Sequence, residues 1–266
     1  MKVSVIIVNY NGFAHTKNAI DSVHRCSPAS ELIVVDNRSA DGSAKLLAAE
    51  FPGIQLVVSD ENRGFAAGCN AGERVATGNY LFFLNNDAVL VEDTPAILAS
   101  VLETNPGVCA CGPKLKSPDG QFEISFGNDP SLAGEWRMRR MHRRLRDDRG
   151  EYSKILERRY DANRKVDWIT GAALMVRREV FREAGGFDER FFMYFEDADL
   201  CRRMREMNYG ILYVPSTPVL HVRGGSTDQN VRRVRSAYRE SQIRYYRKHR
   251  SILSQYVLRV YLGLRP

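Results

Sequence analysis

The 266-residue chain contains few cysteines and no long apolar run. Its five cysteines are scattered and odd in number, and none forms a pair with metal-ligand spacing. A disulfide framework and a cysteine-bound metal are therefore not expected, and all five should be reduced thiols of a cytoplasmic protein. The apolar run at residues 3–8 is too short for a signal peptide or a membrane span, so export is not expected either.

The net charge of +7 is distributed unevenly along the chain. Residues 136–165 hold ten Arg and two Lys against five acidic residues, and residues 231–266 hold nine Arg and one Lys against one acidic residue. The rest of the chain is therefore acidic. The two basic segments favour an anionic partner, whether nucleic acid, anionic lipid or a phosphorylated substrate, although a solvated helix face explains such segments equally simply.

The first half of the chain alternates short β-branched runs with helical patterns. Strands are predicted at residues 2–9, 31–36, 55–59, 80–84 and 108–112, and helices at 14–24, 41–50, 65–76 and 94–103. This alternation predicts an α/β fold with a Rossmann-like, mainly parallel central sheet flanked by helices.

The second half is less regular. An extended stretch is predicted at residues 121–129, strands at 166–170, 172–176, 211–214 and 219–222, and helices at 131–146, 178–184, 198–207, 232–250 and 251–264.

Polar residues follow four of the predicted strands. They are Asn9-Tyr10-Asn11-Gly12, Asp36-Asn37-Arg38-Ser39, Asp60-Glu61-Asn62-Arg63-Gly64 and Asn85-Asn86-Asp87. Turn formation explains one or two of these groups. Because ligands bind at the carboxyl ends of parallel strands, four such groups predict a polar cleft at that edge of the sheet.

Three carboxylates, Glu196, Asp197 and Asp199, follow the aromatic-rich run at residues 191–195. A carboxylate in apolar surroundings needs a partner, a metal or a raised pKa, and a raised pKa suits a general base. The alternative is a helix amino-terminus, where acidic residues favour the helix dipole.

Eight blocks in order give the chain a resemblance to a known family. They span residues 3–12, 33–43, 62–70, 170–172, 186–188 and 221–226, together with Leu84-Asn-Asn-Asp87 and Phe195-Glu-Asp-Ala-Asp-Leu-Cys-Arg202. Over roughly residues 3–226 the chain resembles the inverting nucleotide-sugar glycosyltransferases of family two, which have the GT-A fold. Within them it looks most like the rhamnosyltransferase-like branch that builds bacterial surface polysaccharides.

The resemblance implies a nucleotide-sugar site. Asp36 matches the acid that holds the base and ribose, and Asn9 and Asn11 would line the same pocket. Gly64 would let the backbone approach the ligand, and Arg63 is either a phosphate contact or a surface residue. Further contacts of the nucleotide sugar are expected from Asn37, Asn85, Asn86 and Gly171, with Trp168 and Asp188 as sugar contacts or packing residues.

The resemblance also implies a divalent cation, Mg²⁺ or Mn²⁺. Asn85-Asn86-Asp87 stands where the family has an Asp-any-Asp motif, so Asp87 is the expected ligand and Asn85 a weaker contributor. His221 matches a histidine that closes the metal site in some relatives, although a lone histidine is also common in a core. The loop at residues 223–226 is expected to fold over the diphosphate.

In the family chemistry Asp197 is the catalytic base of a single in-line displacement with inversion. Glu196 would orient Asp197 or bind the acceptor, and Asp199 is expected to have a structural or capping role. The implied donor is dTDP-rhamnose or else a UDP-sugar, and the acceptor is a hydroxyl of a glycan or lipid-linked molecule.

This assignment divides the chain into three parts. Residues 1–112 are expected to bind the nucleotide sugar. Residues 113–228, with an Arg-rich insert at about 131–165, should form the acceptor-binding and catalytic half, and residues 229–266 basic C-terminal helices. The alternatives are a catalytically inactive nucleotide-binding scaffold and a basic nucleic-acid-binding protein. Nucleic-acid binding is not expected, because it leaves the acidic strand ends unexplained.

The last predicted helix, residues 251–264, carries one apolar stripe. It comprises Ile252, Leu253, Tyr256, Val257, Val260, Tyr261 and Leu264. Flanking arginines make this helix a candidate for peripheral contact with an anionic membrane on the inner face of the cell. The alternatives are packing on the core and a homodimer interface.

Overall fold

The computed structural model describes residues 1–147, 150–222 and 231–263. These residues form twelve strands and ten helices. The strands are Val3–Asn9 (β1), Glu31–Asp36 (β2), Gln55–Val58 (β3), Tyr80–Asn85 (β4), Ala88–Leu90 (β5), Val108–Lys116 (β6), Phe122–Glu123 (β7), Phe126–Gly127 (β8), Arg164–Val166 (β9), Trp168–Ile169 (β10), Ala173–Arg177 (β11) and Gly210–His221 (β12). The helices are Phe13–Cys26 (α1), Ser43–Glu50 (α2), Phe65–Val75 (α3), Thr94–Thr104 (α4), Leu132–Asp147 (α5), Glu151–Arg159 (α6), Arg178–Glu183 (α7), Glu196–Glu206 (α8), Val231–His249 (α9) and Ile252–Gly263 (α10).

A large central sheet has the strand order β3-β2-β1-β4-β11-β6-β12-β5. Its first four strands are parallel, as the alternation of strands and helices predicts. Both faces of the sheet are covered, because Val5 and Ile7 of β1 pack in one apolar cluster and Ile6 packs in another. Burial of each such side chain contributes about 1.5–3 kcal/mol to stability.

The other half of the sheet is mixed rather than parallel. Strand β11 lies between β4 and β6 and is antiparallel to both. The two strands predicted at residues 211–214 and 219–222 are one strand, β12, because pairing with β6 resumes after an irregularity between Val214 and Pro218. The short strand β5 and the helix α6 were not predicted from the sequence.

Strand pairing brings the polar residues to one edge. Asn9 of β1 lies opposite Asp36 of β2, and Asn85 at the end of β4 lies opposite Val8. Strand β5 pairs with β12 so that His221 lies opposite Ala88, one residue after Asp87. The sheet therefore brings two distant segments, residues 85–87 and His221, to the same place.

The C-terminal helices pack on the segment that precedes α8. Phe191, Phe195 and Ala198 form a buried cluster with side chains of α9 and with Leu258 of α10. The opposite face of α10 is open, with Ile252 84% and Leu253 73% exposed. In the part of the chain that the structure describes, no helix has the length and apolar character that a bilayer crossing requires. Two sequence predictions lie outside the described residues. They concern the loop at residues 223–226 and the place of Leu264 in the apolar stripe.

Candidate active site

One cavity of about 1,220 Å³ joins the two halves of the protein. Its volume exceeds the range of about 300–1,000 Å³ that is usual for a single small ligand. Eleven of the residues predicted to form the site line it: Asn11, Asn37, Gly64, Asn85, Asn86, Asp87, Trp168, Gly171, Glu196, Asp197 and His221. Asn9, Asp36, Arg63 and Asp188 do not line it in this structure.

Two walls of the cavity differ in composition. The strand-end wall consists of residues that follow β1, β2 and β4: Tyr10, Asn11, Asn37, Asn86 and Asp87, with Asn85. The helical wall consists of residues of α5 and of the segment around β9: Arg137, Met138, Met141, Tyr160, Arg164 and Val166. Asp197 lines the same cavity as both sets of residues.

A chain of buried hydrogen bonds supports the strand-end wall. The Asn9 amide nitrogen donates to Asp36 Oδ2 at 2.7 Å, and the Asn9 amide oxygen accepts from the Thr16 hydroxyl at 2.7 Å. Asn86 donates to the same hydroxyl at 3.3 Å. These bonds connect the ends of β2, β1 and β4 through α1, and so hold Asn86 in place.

Asp36 lies behind this wall rather than on it. It is only 1% exposed, and its second oxygen accepts from the Ser39 backbone N–H at 2.9 Å. In this structure Asp36 orients Asn9 and the following turn through one hydrogen bond to each carboxylate oxygen. Ser39 belongs to the polar group predicted after β2, whereas Thr16 was not predicted, because an isolated hydroxyl residue carries no distinctive pattern.

Gly64 connects the strand-end wall to the segment before α8. Its backbone has φ +90°, and a Cβ there would clash with the Phe192 carbonyl oxygen, so only glycine fits. The Gly64 carbonyl accepts from the Asn37 amide at 2.8 Å, and Phe65 N–H donates to the Phe192 carbonyl at 3.0 Å. The sequence pattern located this close approach correctly, although it is an approach to backbone of the same chain.

Arg63 and Asp188 make other contacts. Arg63 forms an ion pair with Glu189 at 2.7 Å and not with residues of the cavity. Asp188 pairs with Arg190 at 2.6 Å and with Lys248 at 2.8 Å. The hydrogen bond from Arg190 holds the pKa of Asp188 well below its usual value. The phosphate contact of Arg63 and the sugar contact of Asp188 stay predictions, and each side chain would have to exchange these partners to make it.

Asp87 and His221 face each other across the cavity edge. His221 Nε2 lies 3.3 Å from Asp87 Oδ1 and 3.5 Å from the Asn85 amide nitrogen, and its other nitrogen lies 3.1 Å from Glu123 Oε2. Asp87 Oδ1 is buried and makes no hydrogen bond of ordinary geometry among the described residues, so the His221 ring 3.3 Å away is the group that balances its charge. A buried carboxylate oxygen of this kind requires a cation or a donor.

The charges of this pair depend on each other. Burial disfavours the charged form of His221, but Asp87 and Glu123 outweigh it and raise the pKa of His221 to about 9. Burial likewise opposes ionisation of Asp87, but His221 lowers the pKa of that carboxyl. Without a cation the site is thus a carboxylate beside an imidazolium, and a metal must displace the proton of His221.

The donor set fits a divalent cation only in part. Among the described residues, no group of three His, Cys, Asp or Glu side chains is arranged to hold a metal ion. Asp87 and His221 supply two suitable atoms, and Glu123 contacts the far nitrogen of the imidazole as an orienting group does. Such a pair suffices for Mg²⁺ or Mn²⁺ when substrate phosphates complete the coordination.

Asp197 is held by backbone donors at the amino-terminus of α8. Its Oδ2 accepts from Gly171 N–H at 2.9 Å and its Oδ1 from Ala198 N–H at 2.7 Å. Burial raises the pKa of Asp197, while these two donors favour its anion. Asn85 N–H donates to the Ala172 carbonyl at 2.9 Å. Because Gly171 and Ala172 are adjacent, these hydrogen bonds connect Asp197 to Asn85, two residues before Asp87.

Glu196 differs from its neighbour. It is buried, and its Oε2 has no hydrogen-bond partner in the described part of the chain. Burial and the nearby charge of Asp197 raise the pKa of Glu196 well above its usual value. Burial therefore favours the neutral form of Glu196, whereas the two backbone donors favour the anion of Asp197, the form that can accept a proton.

Similarity to known proteins agrees with this architecture. The sequence profile described as glycosyl transferase family 2 matches residues 4–185. The chain belongs to glycosyl transferase family 2. It is a glycosyltransferase, and the resemblance found in the sequence is confirmed.

Two relatives within family 2 are rhamnosyltransferases. The N-acetylglucosaminyl-diphospho-decaprenol L-rhamnosyltransferase of Mycobacterium tuberculosis is 30% identical over 85% of this chain and 78% of its own length. Rhamnosyltransferase WbbL of Escherichia coli is 25% identical over 82% of this chain and 83% of its own length.

Solved structures support the family fold. The mannosyltransferase PcManGT of Pyrobaculum calidifontis, in complex with GDP-Man and Mn²⁺, superposes with a TM-score of 0.62 at 18% identity, covering 92% of this chain and 63% of that one. GalNAc-T7 with UDP, GalNAc and Mn²⁺ gives 0.63 at 16% identity, covering 83% and 43%. The GT-A fold expected from the sequence is thereby confirmed. The family match ends at residue 185, before the segment that contains Asp197.

Proposed function

We propose that the protein is a metal-dependent inverting glycosyltransferase of bacterial cell-surface polysaccharide synthesis. It transfers a sugar from a nucleoside-diphosphate sugar, with dTDP-rhamnose as the first candidate, to a hydroxyl of a glycan or lipid-linked acceptor. The observation that carries the proposal is that Asp87, His221 and Asp197 open on one cavity. The two rhamnosyltransferase relatives support the choice of donor.

In this mechanism Asp197 is the general base. The backbone donors at Gly171 and Ala198 keep it ionised and fix its direction, while its raised pKa gives it the basicity needed to accept the acceptor's hydroxyl proton. The acceptor oxygen attacks the anomeric carbon as the bond to the nucleoside diphosphate breaks. Because one base acts from the face opposite the leaving group, the product has the inverted configuration.

Asp87 and His221 would hold Mg²⁺ or Mn²⁺ together with the diphosphate. A bound divalent cation would neutralise the negative charge on the departing diphosphate. Asp87 Oδ1, which is buried beside His221, would supply the charged ligand, and Glu123 keeps the imidazole oriented. The Mn²⁺ complexes named among the solved GT-A structures support a cation of this class.

The acceptor occupies the helical wall. Met138, Met141 and Val166 present apolar surface there, and Arg137 and Arg164 add positive charge. No described carboxylate forms an ion pair with either arginine, whereas the Arg164 guanidinium lies 4.7 Å from the centre of the Tyr160 ring. A wall with apolar and unpaired basic groups suits an anionic amphiphile such as a sugar linked through diphosphate to a polyprenol.

The exposed face of α10 supports peripheral contact with an anionic membrane. Leu258 faces the protein, but Leu253, Tyr256 and Val257 are exposed on the other side, and Arg250 and Arg259 flank them. A helix with this distribution can lie in the interface of a bilayer. The lipid-linked acceptor would then be delivered from the inner face of the cell membrane.

The test of the function is donor binding followed by product analysis. Nucleotide sugars are screened by thermal shift with Mg²⁺ or Mn²⁺, since a ligand at 100 times its Kd stabilises by about 2.7 kcal/mol. The expected result is a metal-dependent shift with one donor and, with acceptor present, a product of inverted anomeric configuration by NMR. A retained configuration would contradict the mechanism, and donor binding without turnover on any lipid-linked acceptor would favour the inactive scaffold.

Membrane contact is tested by sedimentation with anionic and neutral vesicles. The double variant Leu253→Ser/Val257→Ser should lose binding to anionic vesicles while retaining turnover on a short water-soluble acceptor. Unchanged vesicle binding would contradict membrane contact through α10. If the parent forms a concentration-dependent dimer and this variant does not, the same face of α10 is a homodimer interface instead.

A further inference from the structure

The backbone just before the proposed base adopts an unusual conformation. Tyr194 and Phe195 are consecutive non-glycine residues with φ +69° and +65°. Bulky residues rarely occupy this left-handed region, and they remain there only when surrounding structure holds them. Helix α8 begins at the next residue, so any change at these two positions moves Asp197 directly.

Helix α9 holds this segment along one of its faces. The Tyr238 ring lies 5.5 Å from Tyr194 and 5.2 Å from Phe195, and the Tyr245 ring lies 5.6 Å from Phe195. The Ser241 hydroxyl donates to the Met193 carbonyl at 2.8 Å. Ser241, Tyr245 and His249 follow Tyr238 by three, seven and eleven positions. This spacing places all four residues on one face of α9.

The last turn of α9 contacts the first turn of α8 through Asp199. Asp199 is 0% exposed. Its carboxylate lies 2.6 Å from His249 Nε2 and 2.7 Å from Lys248 Nζ, and it pairs with Arg203 of its own helix at 2.9 Å. Asp199 thus faces away from the cavity and anchors α8 from behind. Because Asp199 and Asp197 are two residues apart in the first turn of α8, the ion pairs of Asp199 also fix the position of the Asp197 side chain.

We infer that α9 is a positioning element for the catalytic base, and that Ser241 and His249 act through Asp197 without touching substrate. Neither residue lines the cavity. Ser241 holds the strained segment before the base and His249 holds the helix turn after it, so Asp197 is fixed from both sides. The inference rests on the proposed role of Asp197 as base.

The first test is kinetic. His249→Leu removes the donor to Asp199 and should lower kcat by about 10- to 100-fold, the size expected for an ångström-scale misplacement of a catalytic group. Ser241→Ala is milder and should lower kcat by about threefold to tenfold. The KM for the nucleotide sugar and the metal requirement should stay within about twofold, because the strand-end wall is untouched.

Two controls distinguish positioning from a general loss of stability. Ser236→Ala makes the same change on α9 at an exposed serine that bonds only to Glu240 within the described residues, and it should leave kcat unchanged. His249→Gln keeps an N–H donor near the same place and should restore most of kcat. If Ser241→Ala and His249→Leu leave kcat at the level of the parent, the inference is overturned.

The decisive measurement is a double-mutant cycle with Asp197→Asn. A residue that acts only through Asp197 has no effect once that carboxylate is gone, so His249→Leu should not lower the residual turnover of Asp197→Asn further. Additive losses would overturn positioning while leaving the base intact. If Asp197→Asn itself retains turnover, the proposed function fails, and the inference with it.

Discussion

The strand-end wall and the helical wall of the cavity are stabilised in different ways. On the strand-end wall, buried amide and hydroxyl groups form a continuous set of hydrogen bonds from Asp36 through Asn9 and Thr16 to Asn86. On the helical wall, helix α5 contributes Met138 and other partly exposed side chains, and none of its residues is fully buried. The first arrangement is preorganised for a ligand of fixed shape, and the second can adapt to a flexible one.

The proposed base lines the same cavity as both walls, and its loss should have the largest effect. Asp197→Asn removes the proton acceptor and should lower kcat by about 10²–10⁴-fold while the Kd for the nucleotide changes little. Steady-state kinetics and calorimetric titration with the nucleoside diphosphate measure the two quantities. Retained turnover would remove Asp197 from the base role.

Glu196→Gln is the matched control for Asp197→Asn. Because burial raises the pKa of Glu196 and favours its neutral form, the neutral amide is a close replacement, and kcat should fall by less than about tenfold. A larger loss for Glu196→Gln than for Asp197→Asn would reverse the two assignments.

The next largest effect should come from the strand-end wall. Asp87→Asn removes the charged cation ligand and should lower kcat/KM by at least about 100-fold, since charge neutralisation at a leaving group contributes several kcal/mol. Mn²⁺ binding, measured by electron paramagnetic resonance, should weaken in parallel. Asp60→Asn, an equal change of charge at an exposed turn, should leave both unchanged.

The acidity of His221 makes cation binding depend on pH. Its pKa of about 9 means that the imidazole is protonated at neutral pH without metal. Cation affinity should therefore rise about tenfold per pH unit from pH 6 to pH 8 and level off above about 9, because binding releases one proton. Calorimetry in buffers of different ionisation enthalpy measures that proton.

His221→Gln sharpens this prediction. The variant has no titrating nitrogen, so its cation affinity should be lower and almost independent of pH over the same interval. An equally steep dependence in His221→Gln would show that another group releases the proton.

The smallest effect should come from the helical wall. Arg137→Gln and Arg164→Gln should each raise the acceptor KM by about threefold to tenfold, as expected for a partly exposed charge contact, with no change in donor binding. Arg158→Gln, in the same basic segment but outside the cavity lining, is the control. A change in donor affinity instead would assign these arginines to the nucleotide diphosphate.

The sequence predicted the strand-end wall well because its signals are local. Asn85-Asn86-Asp87 and Gly64 follow strands or precede helices, and parallel strands necessarily bring their ends to one edge. The roles of Asp36 and Arg63 stay predictions. The structure pairs Asp36 with Asn9 and Ser39, and Arg63 with Glu189, and neither pairing follows from spacing along the chain.

The second half was harder to predict because its contacts are distant in sequence. Strand β5 has three residues, too few for a periodic signal, yet its pairing with β12 is what brings His221 beside Asp87. The support that α9 gives to the segment around Asp197 joins residues about fifty positions apart, such as Asp199 and His249. Asp199 was expected to have a structural or capping role, and the structure shows a buried ion-pair anchor between helices, whose partners the sequence did not identify.

The most direct measurement is a crystal structure of Asp197→Asn with the intact nucleotide sugar and Mn²⁺. The expected result places Mn²⁺ at Asp87 and His221, the diphosphate against the strand-end wall, and the anomeric carbon between the ion and the side chain at position 197. A nucleotide sugar bound outside this cavity, or one whose leaving group faces position 197, would contradict the shared site on which the proposed reaction depends.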